Sequence, residues 1–453
     1  DKRAGKKRSV ISSPTVYALS LTVYCTAWTY YGSVGRAAAT GVGFLPIYLG
    51  PTLIAMLWGT LLLKIVRVSK TQRITSIADF IASRYGKSQL LAGLVTVIAV
   101  LGIVPYIALQ LKAISRSFII LQSHSDSNLS AAAGAVPVLQ DTALYVALLL
   151  ALFTILFGAR HLDASERHEG MVAAITFESI VKLVAFLAVG LFATFHLHDG
   201  FADLFDKAVR AGVLQPMIAE GMGGYGDWYA LTVLAALAVM MLPRQFQVMV
   251  VENSSENHLS RALWVFPLYL LLINIFVIPI ALAGQLTFAG MDVDADTFVL
   301  TLPMAHGQGA LSLLAFIGGL SAATGMVIVE TIALSTMICN DLVMPALLSR
   351  WKRLPPDADL SHLLLRIRRG AIVAILLLGY LYFYFAGEAY ALVSIGLISF
   401  SAVAQFAPAM LIGLYWRGGT RAGALAGLLS GIGIWLYTLL LQSFAQSGWL
   451  PSS

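Results

Sequence analysis

Eleven stretches of this chain are long, apolar and nearly free of charge, and they leave it few ways to fold. They run roughly over residues 14–38, 44–67, 88–122, 142–160, 169–197, 228–251, 262–289, 308–345, 370–386, 389–416 and 421–444. A helix of ~20 residues crosses the hydrocarbon of a bilayer. In lipid no water satisfies a backbone N–H or C=O, so a spanning segment is a helix or part of a closed barrel. Continuous apolar runs of this length argue for helices. Composition agrees: 58% of residues are hydrophobic and 11% are charged, against ~25% charged in soluble domains. No polar stretch is long enough for a separate soluble domain. The net charge of +6 follows from loop charges that set orientation, and requires no nucleic acid. Cys25 and Cys339 both lie inside apolar stretches, which argues against a disulfide framework or metal site. Residues 1–9 form a basic run with no cleavable apolar region after it, so no signal peptide is expected in this stretch. The abrupt charged opening reads as the continuation of an earlier segment.

The first apolar segment is a poor helix by local rules. From Ser20 to Gly35 it holds Thr22, Thr26 and Thr29, the aromatics Tyr24, Trp28, Tyr30 and Tyr31, and Gly32 and Gly35. Thr is stiff at χ1 and Gly weakens a helix interior. Irregular backbone at membrane depth is tolerated only where protein buries it or where it lines a cavity. The segment is therefore either a buried helix that packs through small residues or one wall of a central site. Regular hydrogen bonding is expected to lapse between Thr22 and Tyr30.

Positive charge then sets topology. Alternate loops hold Lys2, Arg3, Lys6, Lys7 and Arg8; Lys64, Arg67, Lys70, Arg73, Arg84 and Lys87; Arg160 and Arg167; Arg261; Arg350, Lys352, Arg353, Arg366, Arg368 and Arg369; and Arg417 and Arg421. The opposite loops contain only Lys207 and Arg210 among many aspartates. With eleven spans the bias stays in phase, placing the N-terminus in the cytoplasm and the C-terminus outside. Five is odd, so segments one to five and six to ten have inverted topology. The third member of each set is long (88–122 and 308–345), and the first is interrupted, at Gly32–Gly35 and at Leu242–Phe246. Matched interruptions in two inverted halves mark the binding site of a repeat transporter. Two amphipathic surface helices are also expected, at Thr71–Lys87 and within 198–226, the latter with Phe201, Leu204, Phe205 and Val209 at helical spacing.

Charges inside the membrane are costly and usually functional. Glu178 and Lys182 are four apart on the fifth segment, a spacing for a helical ion pair that would pin packing or take part in coupling. Lys112 and Arg116 could snorkel to the outer surface, and Arg36 lies near the interface. Arg244 follows Pro243 at the second interruption; it is either a snorkelling cation or a fork for a substrate carboxylate. Glu330 has no local partner and is a candidate proton carrier. Nothing in the sequence resembles a P-loop, HExxH or GxSxG motif, so the chain is not expected to be an enzyme. His161 and His168 flank a charged turn, and their seven-residue gap on a loop is a weak metal signal.

The motifs resemble those of sodium/solute symporters. Ile81-Ala-Ser-Arg-Tyr-Gly86 with its lead-in Thr75–Phe80 is similar to the first cytoplasmic loop of that family, and Val104-Pro-Tyr-Ile-Ala-Leu-Gln-Leu-Lys112 to its next span. More specifically, WTYYGSVGRAA, GARHLDASERHEG, LPRQFQVMVVE and GLSAATGMVIVETIALSTMICNDLVMP resemble the membrane module of CbrA-type sensor histidine kinases. The resemblance covers essentially the whole chain. It implies L-histidine uptake in a bacterial inner membrane, coupled to sensing through a cytoplasmic kinase domain and a response regulator. No phospho-acceptor or ATP-binding segment occurs here, so that kinase lies outside this chain. The first-span carbonyls that hold sodium in the family fall near Thr22 and Cys25. The family's Ser/Thr pair falls on Gly325 and Met326, with Thr324 one position away. Sodium coupling is therefore weakened, and proton coupling or no ion at all stays open; no other cofactor is implied.

Together these readings give an all-α membrane protein of the broken-helix, inverted-repeat (LeuT-like, 5+5) transporter fold with about eleven transmembrane helices. It forms one domain over residues 1–453, with repeats at about 14–197 and 228–416 and an extra helix at 421–444. The expected substrate residues are Cys25, Trp28, Tyr106, Gln110, Met241, Arg244, Gln245 and Phe246. Thr22, Cys25, Thr324 and Gly325 would hold an ion, and Glu178, Lys182 and Glu330 are coupling candidates. The rival functions are a receptor that binds without transport, and an ordinary sodium- or proton-coupled metabolite symporter.

Overall fold

A computed structural model describes residues 13–123, 138–158, 168–214, 224–350, 360–386 and 392–446. Every regular element among them is helical. Seven of these helices are long and apolar enough to cross a membrane, or nine if each of two sharply bent pairs is one span. The count of eleven is not reached on these terms. The first segment is cut into short pieces, and the fourth, Thr142–Phe157, has only 16 residues. His161 and the turn around it, like the basic run at residues 1–9, lie outside the described residues.

The first segment starts as an ordinary helix. Ser13 caps Pro14–Ser20 by accepting the Val16 N–H at 3.3 Å, and Pro14 sits where its missing N–H costs nothing. The chain then tightens into a 3-10 turn over Leu21–Tyr24, and Cys25 is extended at φ −79°, ψ 98°. A wide π turn over Trp28–Gly32 follows, and α-helix resumes at Ser33–Thr40. Regular bonding does lapse across the expected stretch. The interruption itself is at Cys25–Thr26, not at Gly32–Gly35: Ala27 is already helical at φ −55°, ψ −27° and Gly32 is helical at φ −64°, ψ −25°, while β-branched Thr and a hydrogen-bond partner from another segment open the backbone earlier.

The sixth segment breaks where its sequence indicates. Helix Tyr225–Met241 stops at Leu242, which is extended at φ −62°, ψ 128°. A residue before proline avoids the α region, and Pro243 starts a new helix, Pro243–Phe246. The two parts are bent by 54°. Both long segments are present, as Gln89–Ser123 and Gly309–Met337.

Helices form in both stretches expected at the surface, at Ile77–Arg84 and Phe201–Arg210, but the first is not a surface helix: Ile77, Ala78, Phe80, Ile81 and Ala82 are buried and none of its residues is exposed. Of the second helix's four apolar residues Leu204 is fully buried, while Phe201 and Val209 are exposed. Lys112 is buried, contrary to the snorkelling expectation. Arg116 does reach the surface, where it pairs with Asp294 at 2.6 Å. Segments two and six touch backbone to backbone: a Cβ at Gly50 would collide with Thr232 O and Ala236 N. Small residues permit such approach in membranes.

Candidate functional site

At the first break, side chains replace the lost backbone bonds, one of them from another segment. Gln110 Oε1 accepts the Ala27 N–H at 3.1 Å, and Thr26 Oγ1 accepts the Trp28 N–H at 3.2 Å. Thr26 Oγ1 also bonds Tyr106 OH at 3.0 Å. Gln110 Nε2 turns back to Tyr106 O at 3.4 Å. Gln110 therefore holds the break open through both ends of its amide. Gln110→Leu leaves the buried Ala27 N–H without an acceptor, a cost of roughly 1–3 kcal/mol. A lower melting temperature in detergent is expected, with Gln110→Glu recovering most of the loss because it still offers an oxygen to the Ala27 N–H.

The second break holds the deepest charges. Arg244 and Glu330 are both fully buried, and Arg244 Nη1 donates to Glu330 Oε2 at 2.9 Å. The guanidinium also lies 4.5 Å from the centre of the Tyr106 ring, within cation–π range. Two expectations change. Glu330 is not a lone carboxylate, and Arg244 is not a snorkelling cation. Sequence spacing missed the pair because 86 residues separate its members. Arg244 Nε and Nη2 and Glu330 Oε1 are buried without hydrogen-bond partners among the described residues. Gln245 Nε2 donates to Leu21 O at 3.2 Å, while its Oε1 is likewise unpartnered. The Gln245–Leu21 bond ties the helix after the second break to the 3-10 turn that leads into the first.

Aromatic rings wall this region. Trp28 meets Phe400 edge-on at 4.7 Å between centroids and Tyr106 at 6.0 Å, and its Nε1 is unpartnered. Gly396 permits the approach, since a Cβ there would press on the indole. Phe400, from the tenth segment, was not singled out in the sequence; nothing in its neighbourhood distinguishes it from other core aromatics. Met241 is buried. Phe246 packs edge-on against Phe80 of the connecting helix Ile77–Arg84 at 5.8 Å.

Lys182 and Glu178 do not pair with each other as expected. Lys182 Nζ donates to Thr22 O at 2.9 Å and Cys25 O at 2.6 Å. Glu178 Oε1 accepts from Thr324 Oγ1 at 3.2 Å, and its Oε2 fills the space a side chain at Gly325 would occupy. The hydroxyl of Thr22 binds Ser179 Oγ at 2.7 Å. Of the two histidines weighed as metal ligands, His168 bonds Glu252 at 3.0 Å. No group of three or more metal-ligating side chains occurs among the described residues.

No family model matches the chain. It is 24% identical over 431 residues to the uncharacterized symporter YodF of Bacillus subtilis (strain 168), covering 92% of this chain and 78% of that one. It is also 24% identical over 434 residues to the uncharacterized symporter YhjB of the same organism, covering 94% and 81%. Among solved structures it is similar to a Na+-coupled sialic acid symporter in a substrate-bound, outward-open state. There the TM-score is 0.67 at 11% identity, over 95% of this chain and 86% of that one. It is similar also to a manganese transporter of Eremococcus coleocola, with a TM-score of 0.51 at 17% identity, over 98% and 88%. Identities this low in solved structures carry the fold alone. With the apolar helices, they support a multi-pass membrane protein with the fold of such symporters.

Proposed function

We propose that this chain binds an amino acid, L-histidine, where the two helix breaks meet, and takes it up across a bacterial inner membrane. The observation that carries the reading is the buried Arg244–Glu330 pair with one unused edge on each partner. A zwitterion fits both edges. Its carboxylate accepts the parallel donors Nε and Nη2, and its ammonium donates to Glu330 Oε1. Leaving any of these charges unpaired in such a site costs several kcal/mol. A flat imidazole suits the Trp28, Tyr106 and Phe400 walls, with Gln245 Oε1 as acceptor for a ring N–H.

In this reading segments one to five and six to ten are inverted repeats, over about 14–197 and 228–416. Uptake rocks segments one, two, six and seven against the rest. The N-terminus is cytoplasmic, the C-terminus is outside after the extra helix, and a histidine kinase beyond this chain reports occupancy to a response regulator. The sequence motifs shared with CbrA-type sensors support the histidine and signalling parts. An ordinary metabolite symporter is the second reading, favoured by relatives that are named only as symporters.

The purified chain in proteoliposomes tests this. Saturable accumulation of radiolabelled L-histidine, competed by unlabelled L-histidine and not by sialic acid, is expected. Binding without accumulation would make the chain a receptor. Neither binding nor accumulation would leave the fold and remove the substrate.

A further inference from the structure

The first break leaves a negative pole buried in the protein. Cys25 N–H closes the last turn on Thr22 O at 3.0 Å, and no helix continues to use the remaining lone pairs of Thr22 O and Cys25 O. The C-terminal end of a half-helix carries partial negative charge. Unwound carbonyls at such ends are where broken-helix transporters coordinate a small cation. Here both carbonyls accept from one ammonium, Lys182 Nζ, at 2.9 and 2.6 Å. Lys182 is only 3% exposed.

The facing helix is altered to match. Gly325 and Met326 provide no side-chain oxygen to a cation, and the space beside Gly325 is taken by the Glu178 carboxylate. Thr324 Oγ1 holds the other oxygen of that carboxylate at 3.2 Å. Glu178 stands one helical turn before Lys182, so a single helix supplies the positive charge and its counter-charge. A lysine that merely fastened two helices would need neither two converging carbonyls nor a glycine opposite its partner.

We propose that this is a cation site whose cation is covalently attached: the Lys182 ammonium stands in for a bound monovalent metal ion, Glu178 balances it, and removing the ammonium lets Na+ enter. The proposal is independent of which solute the central site takes.

The test uses the whole chain in detergent, with 22Na+ as probe and NaCl against choline chloride at constant ionic strength. Wild type is expected to bind no 22Na+ saturably, and to melt at the same temperature in both salts. Lys182→Ala is expected to bind 22Na+ saturably and to melt higher in NaCl. Adding Glu178→Gln should weaken that Na+ binding by about tenfold or more, about 1.4 kcal/mol. Saturable 22Na+ binding by wild type overturns the proposal, as does a folded Lys182→Ala that ignores sodium. Should Lys182→Ala fail to fold in either salt, a cryo-EM map of wild type in NaCl decides. Nζ between the two carbonyls supports the proposal, and an ion there with the lysine turned away overturns it. Neither arm uses histidine, so failure here is distinct from failure of the uptake assay.

Discussion

Arg244→Ala is expected to abolish L-histidine binding and to destabilise the protein by ~3–5 kcal/mol, because it strands Glu330 as an uncompensated buried charge. Sequence alone gave Arg244 no intramembrane partner, and on that basis its removal would weaken binding while leaving folding intact. The 2.9 Å contact between two fully buried groups changes that expectation. Arg244→Lys keeps the charge but loses the planar fork, so it should fall between wild type and Ala in both respects. Joint replacement, Arg244→Gln with Glu330→Gln, removes both charges and should recover most of the stability without recovering binding. Thermal melts in detergent and equilibrium binding of radiolabelled histidine check the series. Wild-type melting and affinity for Arg244→Ala would mean that the pair contributes to neither fold nor site.

The other large effect is expected at Gly50, far from any candidate ligand. Its Cα faces the backbone of the sixth segment, and any side chain meets Thr232 O and Ala236 N, which cannot rotate away. Gly50→Leu should therefore separate segments two and six, and shift the half-helix that precedes Leu242. Overpacking typically costs ~1–3 kcal/mol, and a clash with backbone falls at the upper end or beyond. Gly59→Ala, where a Cβ meets nothing within 4 Å, is the control. The readouts are the monodisperse yield after detergent extraction and the melting temperature. Equal behaviour of the two variants would show that the segments are not held at backbone contact.

The membrane class was legible because hydrocarbon length and backbone satisfaction leave few alternatives. So was the second break, since Pro243 forces Leu242 out of the helix by covalent geometry. The first break was placed several residues too late. Glycine suggested where the helix could open, but Gln110 and Thr26 decide where it does, by accepting the Ala27 and Trp28 N–H groups. The charged residues show the same division. Each was recognisable as costly in the membrane, yet its partner came from elsewhere: Glu330 for Arg244, and two backbone carbonyls for Lys182. The spacing of Glu178 and Lys182 suggested a helical pair, and only the neighbouring half-helix end shows why the ammonium turns away. Phe400 carried no signal at all, since an aromatic wall and an aromatic core look alike in one sequence.

The central claim is that the two breaks together form the amino-acid site. A cryo-EM map of the chain in lipid nanodiscs with saturating L-histidine tests it most directly. Ligand density is expected between Trp28 and Arg244, with its carboxylate on Arg244 Nε and Nη2 and its ammonium on Glu330 Oε1. Bound histidine elsewhere, with the free edges of Arg244 and Glu330 still empty, would contradict the account.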